Sequence, residues 1–306
     1  MNPDLSKKVW DRLIAGKSLV DLDLPSTNGR VDLRGLSATQ PKVVRESATA
    51  GVHVTTLGNL IELRSIHWKG IDFSDGRFKS LRFFNSTIEN CSFERAVCQD
   101  WRMWGTAISR SSFRSADLRR SALGGIDKCK RNSFHQIDFT YADLRQTAHS
   151  SADFVECVFR DANLTKVDFQ GSVFVDCTFQ GVLDQVLFYR QAFRGEQFPA
   201  NQMRGVDFRE AQFHFVEFRR LDMTDVRWPD DDQHILVNDY KRSLGRVLEG
   251  LDPCSSVASK KLAALLKSNL KWAGPNQLHG VISKRVLIEF GGQEALNDFI
   301  RLMNTK

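Results

Sequence analysis

Through the middle of this chain a large apolar side chain returns at every fifth residue, a spacing few architectures can use. The first run is Leu63, Trp68, Phe73, Phe78, Phe83, Ile88, Phe93, Cys98, Met103, Ile108, Phe113, Leu118 and Leu123. The rhythm resumes from Phe134 to Phe179, and a third run holds Phe188, Phe193, Phe198, Met203, Phe208, Phe213, Phe218, Met223 and Trp228. A period of five is neither the 3.6 of a helix nor the 2 of a simple strand. The chain must turn a corner every five residues and bury one large side chain each time. A fixed short period of this kind marks a repeat architecture.

The position two before each large residue is small or modest: Ala116, Ala142, Ala152, Cys157, Ala162, Val167, Ser172, Cys177 and Ala211. Asp or Asn often precedes the large residue, and polar residues or Gly follow it. Units such as Ala116-Asp117-Leu118-Arg119-Arg120, Ala162-Asn163-Leu164-Thr165-Lys166 and Val167-Asp168-Phe169-Gln170-Gly171 resemble the pentapeptide-repeat family. That resemblance implies an all-β solenoid, a right-handed quadrilateral β-helix of pentapeptide repeats with four units per coil. Two of every five side chains then point inward and stack on equivalents twenty residues away. At about 4.8 Å per coil, residues 61–230 give about eight coils and a rod of roughly 40 Å. Each coil touches only its neighbours, so the two ends need caps.

The rhythm breaks twice. Leu123 to Phe134 is one residue more than two units, and Phe179 to Phe188 is one fewer. One reading is a bulge and a tightened corner that cancel. The other makes residues 124–131, with Lys128, Lys130 and Arg131, a projecting basic loop.

Three regions follow: an N-terminal helical cap over 1–60, the rod over 61–230 and a C-terminal α-helical domain over 231–306. Leu5, Val9, Trp10, Leu13 and Ile14 share one helical face, with Asp4 placed to cap the helix and Gly16 to stop it. Val31-Asp32-Leu33-Arg34-Gly35 is a stray repeat unit, and residues 36–56 read as a loop. Beyond Trp228, Asp230, Asp231 and Asp232 would open a helix bearing Leu236, Tyr240, Leu244, Val247 and Leu248. A second helix is expected over 256–272, with Lys260, Lys261, Lys267 and Lys271 outward. Shorter ones follow over 278–290 and 293–303, separated by Gly291-Gly292.

Charge is distributed unevenly. The chain carries a net charge of +6 over 306 residues. Residues 61–131 hold 14 Lys/Arg against 8 Asp/Glu, whereas 132–230 hold 10 against 15. No stretch reaches the roughly 18 apolar residues of a membrane span, and the N-terminus lacks a signal-peptide layout. Cys91, Cys157 and Cys177 fall on the small inward position and Cys98 on the large one, where a free thiol packs as a small hydrophobe. No CxxC pair points to a metal. A cytoplasmic, reducing setting fits, and no cofactor is expected.

No nucleotide-binding, hydrolase or metalloprotease motif is present, which speaks against an enzyme. His149 occupies a large inward position and reads as a hydrogen-bonded core histidine, with a ligand-binding or titrating group as the alternative. Gln191, Glu196 and Asn201 fall on small inward positions near Pro199, suggesting a distorted coil. Outward, Arg82 and Arg102 share one column and Phe84 and Trp104 the adjacent one; Arg64 leads into this wall, and Arg119 and Arg120 lie round a corner. Aromatics beside arginines are the residues of binding hot spots. The alternative is that Phe84 and Trp104 shield coil edges. Tyr189 and Phe215 read as isolated surface aromatics.

The first functional expectation is a non-enzymatic interaction protein that docks a macromolecule, most simply a protein. The family resemblance implies a second: some members imitate duplex DNA and bind type II topoisomerases (DNA gyrase or topoisomerase IV). Here the acidic 132–230 half would be the mimic and the C-terminal helices would pair two copies, although such mimics are acidic overall and this chain is basic. The third is nucleic-acid binding through the basic 61–131 half.

Overall fold

Each five-residue side of the rod ends where the backbone must turn, and the turn is paid for locally. The residue two after most large inward ones takes a positive φ, as at Ser65, Asp75, Asn85, Arg95, Ser115, Glu156 and Lys166. Left-handed backbone costs an L-residue about 1–2 kcal/mol. Coil stacking offsets that cost, because every corner is bonded to the next coil: the Ser65 N–H donates to the Phe84 carbonyl at 2.8 Å and that of Asp75 to Glu94 at 2.8 Å.

In the computed structural model, which describes residues 2–38, 60–191, 198–274 and 277–305, the rod is a four-sided parallel β-helix. Its pairs match twenty residues apart, as in Leu63 with Phe83 and Phe83 with Met103. Four inward columns fill the interior. Phe73, Phe93, Phe113, Phe139, Phe159, Phe179, Phe208 and Trp228 form one continuous stack with ring centroids 4.7–6.1 Å apart. Full burial of each such side chain is worth roughly 1.5–3 kcal/mol, so the ladder dominates the stability of the rod.

A second column runs Leu63, Phe83, Met103, Leu123, His149, Phe169, Phe188 and Phe218, which gives the expected eight levels. Three of its steps depart from twenty. Ala122 pairs with Ala148, 26 residues on, so six residues are inserted after Leu123, rather than one. The step from Phe169 to Phe188 is one residue short, as the tightened corner predicts. Phe188 pairs with Phe218, thirty residues on, so ten more are inserted. Met203 therefore follows Phe188 on the ladder, its neighbour Arg204 bridging to Val175. Phe198 is accordingly not an inward rung, and Phe193 lies outside the described residues.

Both insertions end on a buried asparagine at the small inward position. Asn132 Oδ1 accepts from the Thr106 N–H (2.9 Å), while its amide donates to the Met103 (2.9 Å) and Leu123 (2.7 Å) carbonyls. Asn201 Oδ1 accepts from the N–H groups of Phe174 (3.2 Å) and Met203 (3.0 Å). Each side chain satisfies backbone groups that the interrupted coil leaves without partners. Gln191 is exposed at the start of the second insertion instead of pointing inward, and Glu196 lies outside the described residues.

Helix α1 (Pro3–Ile14) closes the first coil, burying Val9, Trp10 and Leu13 against Trp68 and Phe78. Its cap is Asn2, whose side chain accepts from the Leu5 N–H at 2.8 Å, because Pro3 fits the first helical position. Asp4 sits in the first turn, and Gly16 ends the helix with φ 63°. The stray repeat unit joins the rod: Val31 and Asp32 pair with Ile71 and Asp72. Most of the expected 36–56 loop lies outside the described residues.

At the other end the chain departs from the expected helix. Asp231 accepts from the N–H groups of Gln233 and His234, and residues His234–Asn238 form a strand antiparallel to His279–Ser283. His234 Nε2 accepts the Phe213 N–H at 3.2 Å, tying that strand to the last coil. The apparent helical face from Leu236 to Tyr240 thus crosses a strand end. Helix α2 (Tyr240–Glu249) keeps only the later part of the expected helix, whereas α3 (Val257–Trp272), capped by Ser256, forms as expected. Residues 279–283 are strand instead of the start of a helix, and α4 (Lys284–Met303) breaks at Gly292 (φ 78°, ψ −179°) into two helices, as the Gly291-Gly292 pair predicts. These elements build their own core from Val237, Leu244, Val247, Leu262, Leu266, Leu287 and Phe299.

Candidate binding wall

Three parallel strands, Ile61–Arg64, Leu81–Phe84 and Arg102–Trp104, make one side of the rod. Strand alternation sends Leu63, Phe83 and Met103 inward, so Arg64, Phe84 and Trp104 face out in register. Phe84 and Trp104 stack at 4.7 Å with planes 7° apart, and the Arg64 guanidinium lies 4.1 Å above the Phe84 ring. Three planar groups thus form one pile along the wall, each ring half-buried.

The neighbouring column is electrically closed. Arg82 and Arg102 both bond to Asp100, each at 2.9 Å, on separate carboxylate oxygens. Burial pushes the Asp100 carboxyl up, but bonds from Arg82 and Ser80 and the Arg102 charge outweigh it, leaving its pKa below the usual range. Round the corner Arg119 holds Asp117 through two bonds of 2.9 and 2.7 Å, with Asp143 at 3.4 Å. Arg120 is the turn residue (φ 60°), whose carbonyl accepts from Arg102. Most positive charge here is already matched.

The inserted segment is a short β-hairpin: Ile126–Asp127 pairs antiparallel with the start of Lys130–Asp138. Its two loop residues, Lys128 (φ 47°) and Cys129 (φ 65°), are both left-handed, as a type I′ turn requires. Lys128 and Lys130 are exposed. Arg131 is not part of a projecting basic loop. Its guanidinium is buried, donating to the carbonyls of Ser151 (2.9 Å), Ala152 (2.8 Å) and Gly171 (2.9 Å) and pairing with Asp153 at 3.0 Å. Phe198, from the second insertion, lies across it with the ring centre 5.3 Å away.

The hairpin meets the aromatic pile. A Cβ on Gly125 would stand 3.2 Å from Trp104 and 2.2 Å from the Met103 carbonyl, so only glycine lets the segment lie so close. Asn85 also bonds to Asp127. The wall and the hairpin, separate candidates in the sequence, are one continuous surface.

Other candidates belong to packing. His149 is fully buried: Thr147 Oγ1 donates to the Leu144 carbonyl (2.6 Å), so His149 Nε2–H donates to that hydroxyl at 2.8 Å. Its Nδ1 has no partner among the described residues, and burial drives its pKa down to about 3. Tyr189 meets Trp272 edge-on, where α3 docks on the rod, so it is not an isolated surface residue. Phe215 helps line a pocket of about 150 Å³ at that junction, together with Phe218, Trp228, Tyr240 and Trp272. Among the described residues no three His, Cys, Asp or Glu side chains are placed to share a metal ion. Nor is any helix long and apolar enough to cross a membrane.

Residues 137–181 match the family model described as pentapeptide repeats, in eight copies. The matched stretch lies between the hairpin and the short coil. No curated protein matches the chain. Among solved structures it is similar to HetL, a pentapeptide repeat protein involved in heterocyst differentiation regulation from the cyanobacterium Nostoc sp. strain PCC 7120. That likeness has 15% identity, covers 55% of this chain and 90% of that one, and has a TM-score of 0.36. Rfr23, a pentapeptide repeat protein from the cyanobacterium Cyanothece 51142, is 8% identical over 55% and 90%, with a TM-score of 0.30. QnrB1, a plasmid-mediated fluoroquinolone resistance protein, is 16% identical over 53% and 84%, with a TM-score of 0.19. Scores this low carry no argument about activity.

Proposed function

We propose that this pentapeptide-repeat protein is a non-enzymatic interaction protein whose rod presents a preformed aromatic wall to a protein partner. The observation that carries this reading is the pile of Arg64, Phe84 and Trp104. Rings fixed by stacking lose little freedom on binding, which removes part of the cost of association. Large aromatics and arginine are also the side chains that dominate interface energies. Because Asp100 and Asp117 already match the neighbouring guanidiniums, the wall suits a protein surface better than a polyanion.

Capture from the native host with tagged full-length chain tests this. Phe84→Ala and Trp104→Ala should each weaken capture of the same partner by about thirtyfold, the scale of a hot-spot truncation, with the fold retained by circular dichroism. Capture unchanged in both variants would remove the wall from the argument. The excess of carboxylates over 132–230 supports a second reading, a DNA-like surface for a type II topoisomerase. Several of those acids are spent internally, Asp143 on Arg145, Asp207 on Arg209 and Glu217 on Arg219. An effect on gyrase supercoiling at stoichiometric chain, abolished by neutralising the unpaired acids, would put that reading ahead.

A further inference from the structure

Helix α3 differs electrically from the aromatic wall of the rod, where Asp100 and Asp117 match the guanidiniums. Its sequence holds four lysines and no carboxylate. Lys260, Lys261, Lys267 and Lys271 are all exposed, and none makes an ion pair among the described residues. At 100° per residue the exposed positions Val257, Lys260, Lys261, Ala264, Lys267, Ser268 and Lys271 share one arc of roughly 120°. Within that arc the short side chains of Ala264, Val257 and Ser268 lie towards the centre. Lys260, Lys267 and Lys271 flank them on one side and Lys261 on the other. The opposite face is fixed in the C-terminal core through Ala258, Leu262, Ala263 and Leu266. Packed beside α3, α2 adds exposed Lys241, Arg242 and Arg246, likewise without ion pairs among the described residues.

We propose that α3 is a docking helix for B-form duplex DNA, seated in the major groove with its lysines on the flanking phosphates. Three observations converge on that partner. The unpaired cations call for a polyanion, whereas Arg82, Arg102 and Arg119 beside the aromatic wall are held by Asp100 and Asp117. A spine of short side chains, Ala264, Val257 and Ser268, between flanking lysines lets the helix axis approach a groove floor while the charges reach its rims. The B-DNA major groove admits one α-helix, and the deep, narrow major groove of A-form RNA does not. This surface is separate from the aromatic wall, so the two readings can fail independently.

The test uses full-length chain and a fluorescein-labelled 20-base-pair duplex, followed by anisotropy from 50 to 200 mM salt. Four phosphate contacts predict a log–log salt slope of about −3.6, a loss of roughly a hundredfold across that range. The variant with all four lysines changed to Gln keeps helix propensity and should lose at least tenfold in affinity at 50 mM, with a flattened slope. Phe84→Ala should bind DNA as the unaltered chain does. Absence of binding at 50 mM salt, or a Gln variant that binds equally well, would overturn the proposal. So would equal affinity for double-stranded RNA of the same sequence, or for vesicles containing 30% phosphatidylserine, each of which would show a patch that takes any anion.

Discussion

At the scale of the residue, the columns of large inward side chains accept a polar guest at His149 and register its cost. His149 holds a rung between Leu123 and Phe169, with Nδ1 an acceptor that no described group satisfies. A buried polar group without a partner costs about 1–3 kcal/mol. His149→Leu should therefore raise the denaturant midpoint, by an amount near the lower figure once the lost Thr147 contact is counted. A fall in the midpoint would mean that the imidazole packs better than its hydrogen bonding indicates. The cysteines follow the same inward logic. Burial pushes the Cys91 thiol up to about 12 and the thiols of Cys98 and Cys157 well above the ordinary range, whereas Cys129 and Cys254 are exposed. Thiol labelling of native chain should mark Cys129 and Cys254 first and the other four only on unfolding. Early labelling of Cys157 would contradict the register described here.

At the scale of the element, what could be read in advance depended on whether a departure disturbed the period. The ladder, the helix α3 and the tightened corner were legible because each leaves a spacing the eye can count. The ten-residue insertion was not, since ten is two whole units and Phe193 and Phe198 keep the beat through it in the sequence. The six-residue insertion imitated one unit plus a bulge for the same reason. A local signal did exist: Asn132 and Asn201 stand where Ala, Ser, Cys or Val is the rule, and each is buried. The C-terminal strand was misread because Leu236 and Tyr240 are spaced as on a helix, while the tie from His234 to Phe213 decided otherwise. Of the candidate wall, the columns were legible from the period, but not the matching of arginines by Asp100 and Asp117, nor the hairpin folded against Trp104. The hairpin invites its own test. Its type I′ turn is built from Lys128 and Cys129, residues that resist positive φ. Lys128→Asn with Cys129→Gly supplies the preferred pair and should raise stability by about 1 kcal/mol or more. No gain would show that the turn changes shape in solution.

At the scale of the whole molecule, a rod and a helical end with separate cores must be held together, and a histidine helps to hold them. His214 on the last coils bonds through Nδ1 to Asp184 and through Nε2 to Glu289 of α4, each at 2.6 Å. The Glu289 bond, aided by Asp184, raises the His214 pKa above its ordinary value, against burial and the nearby Arg285. Arg285, and then His214, hold the Glu289 carboxyl below the usual range. The sign follows from linkage: a raised folded pKa gives stability that is fully present below about 6.5, the unfolded value, and is lost as pH rises through the folded one. His149 works in the other direction and elsewhere, its depressed pKa costing stability as pH falls from about 6.5 towards 3. The two histidine windows do not overlap, and the raised thiols of Cys91, Cys98 and Cys157 cost stability only above about 8.5, the free thiol value, so the range just above 6.5 belongs to the clamp. Hydrogen exchange of α4, compared between unaltered chain and His214→Gln at each pH, isolates it. Protection of α4 should be greater in the unaltered chain at pH 6, and the difference should close by pH 9. A difference that persists at pH 9 would mean that the neutral imidazole holds the helix as well as the charged one, whereas the pH-independent part of the junction rests on Trp272, whose ring lies 4.4 Å from the Arg219 guanidinium and whose carbonyl accepts from the Arg220 N–H.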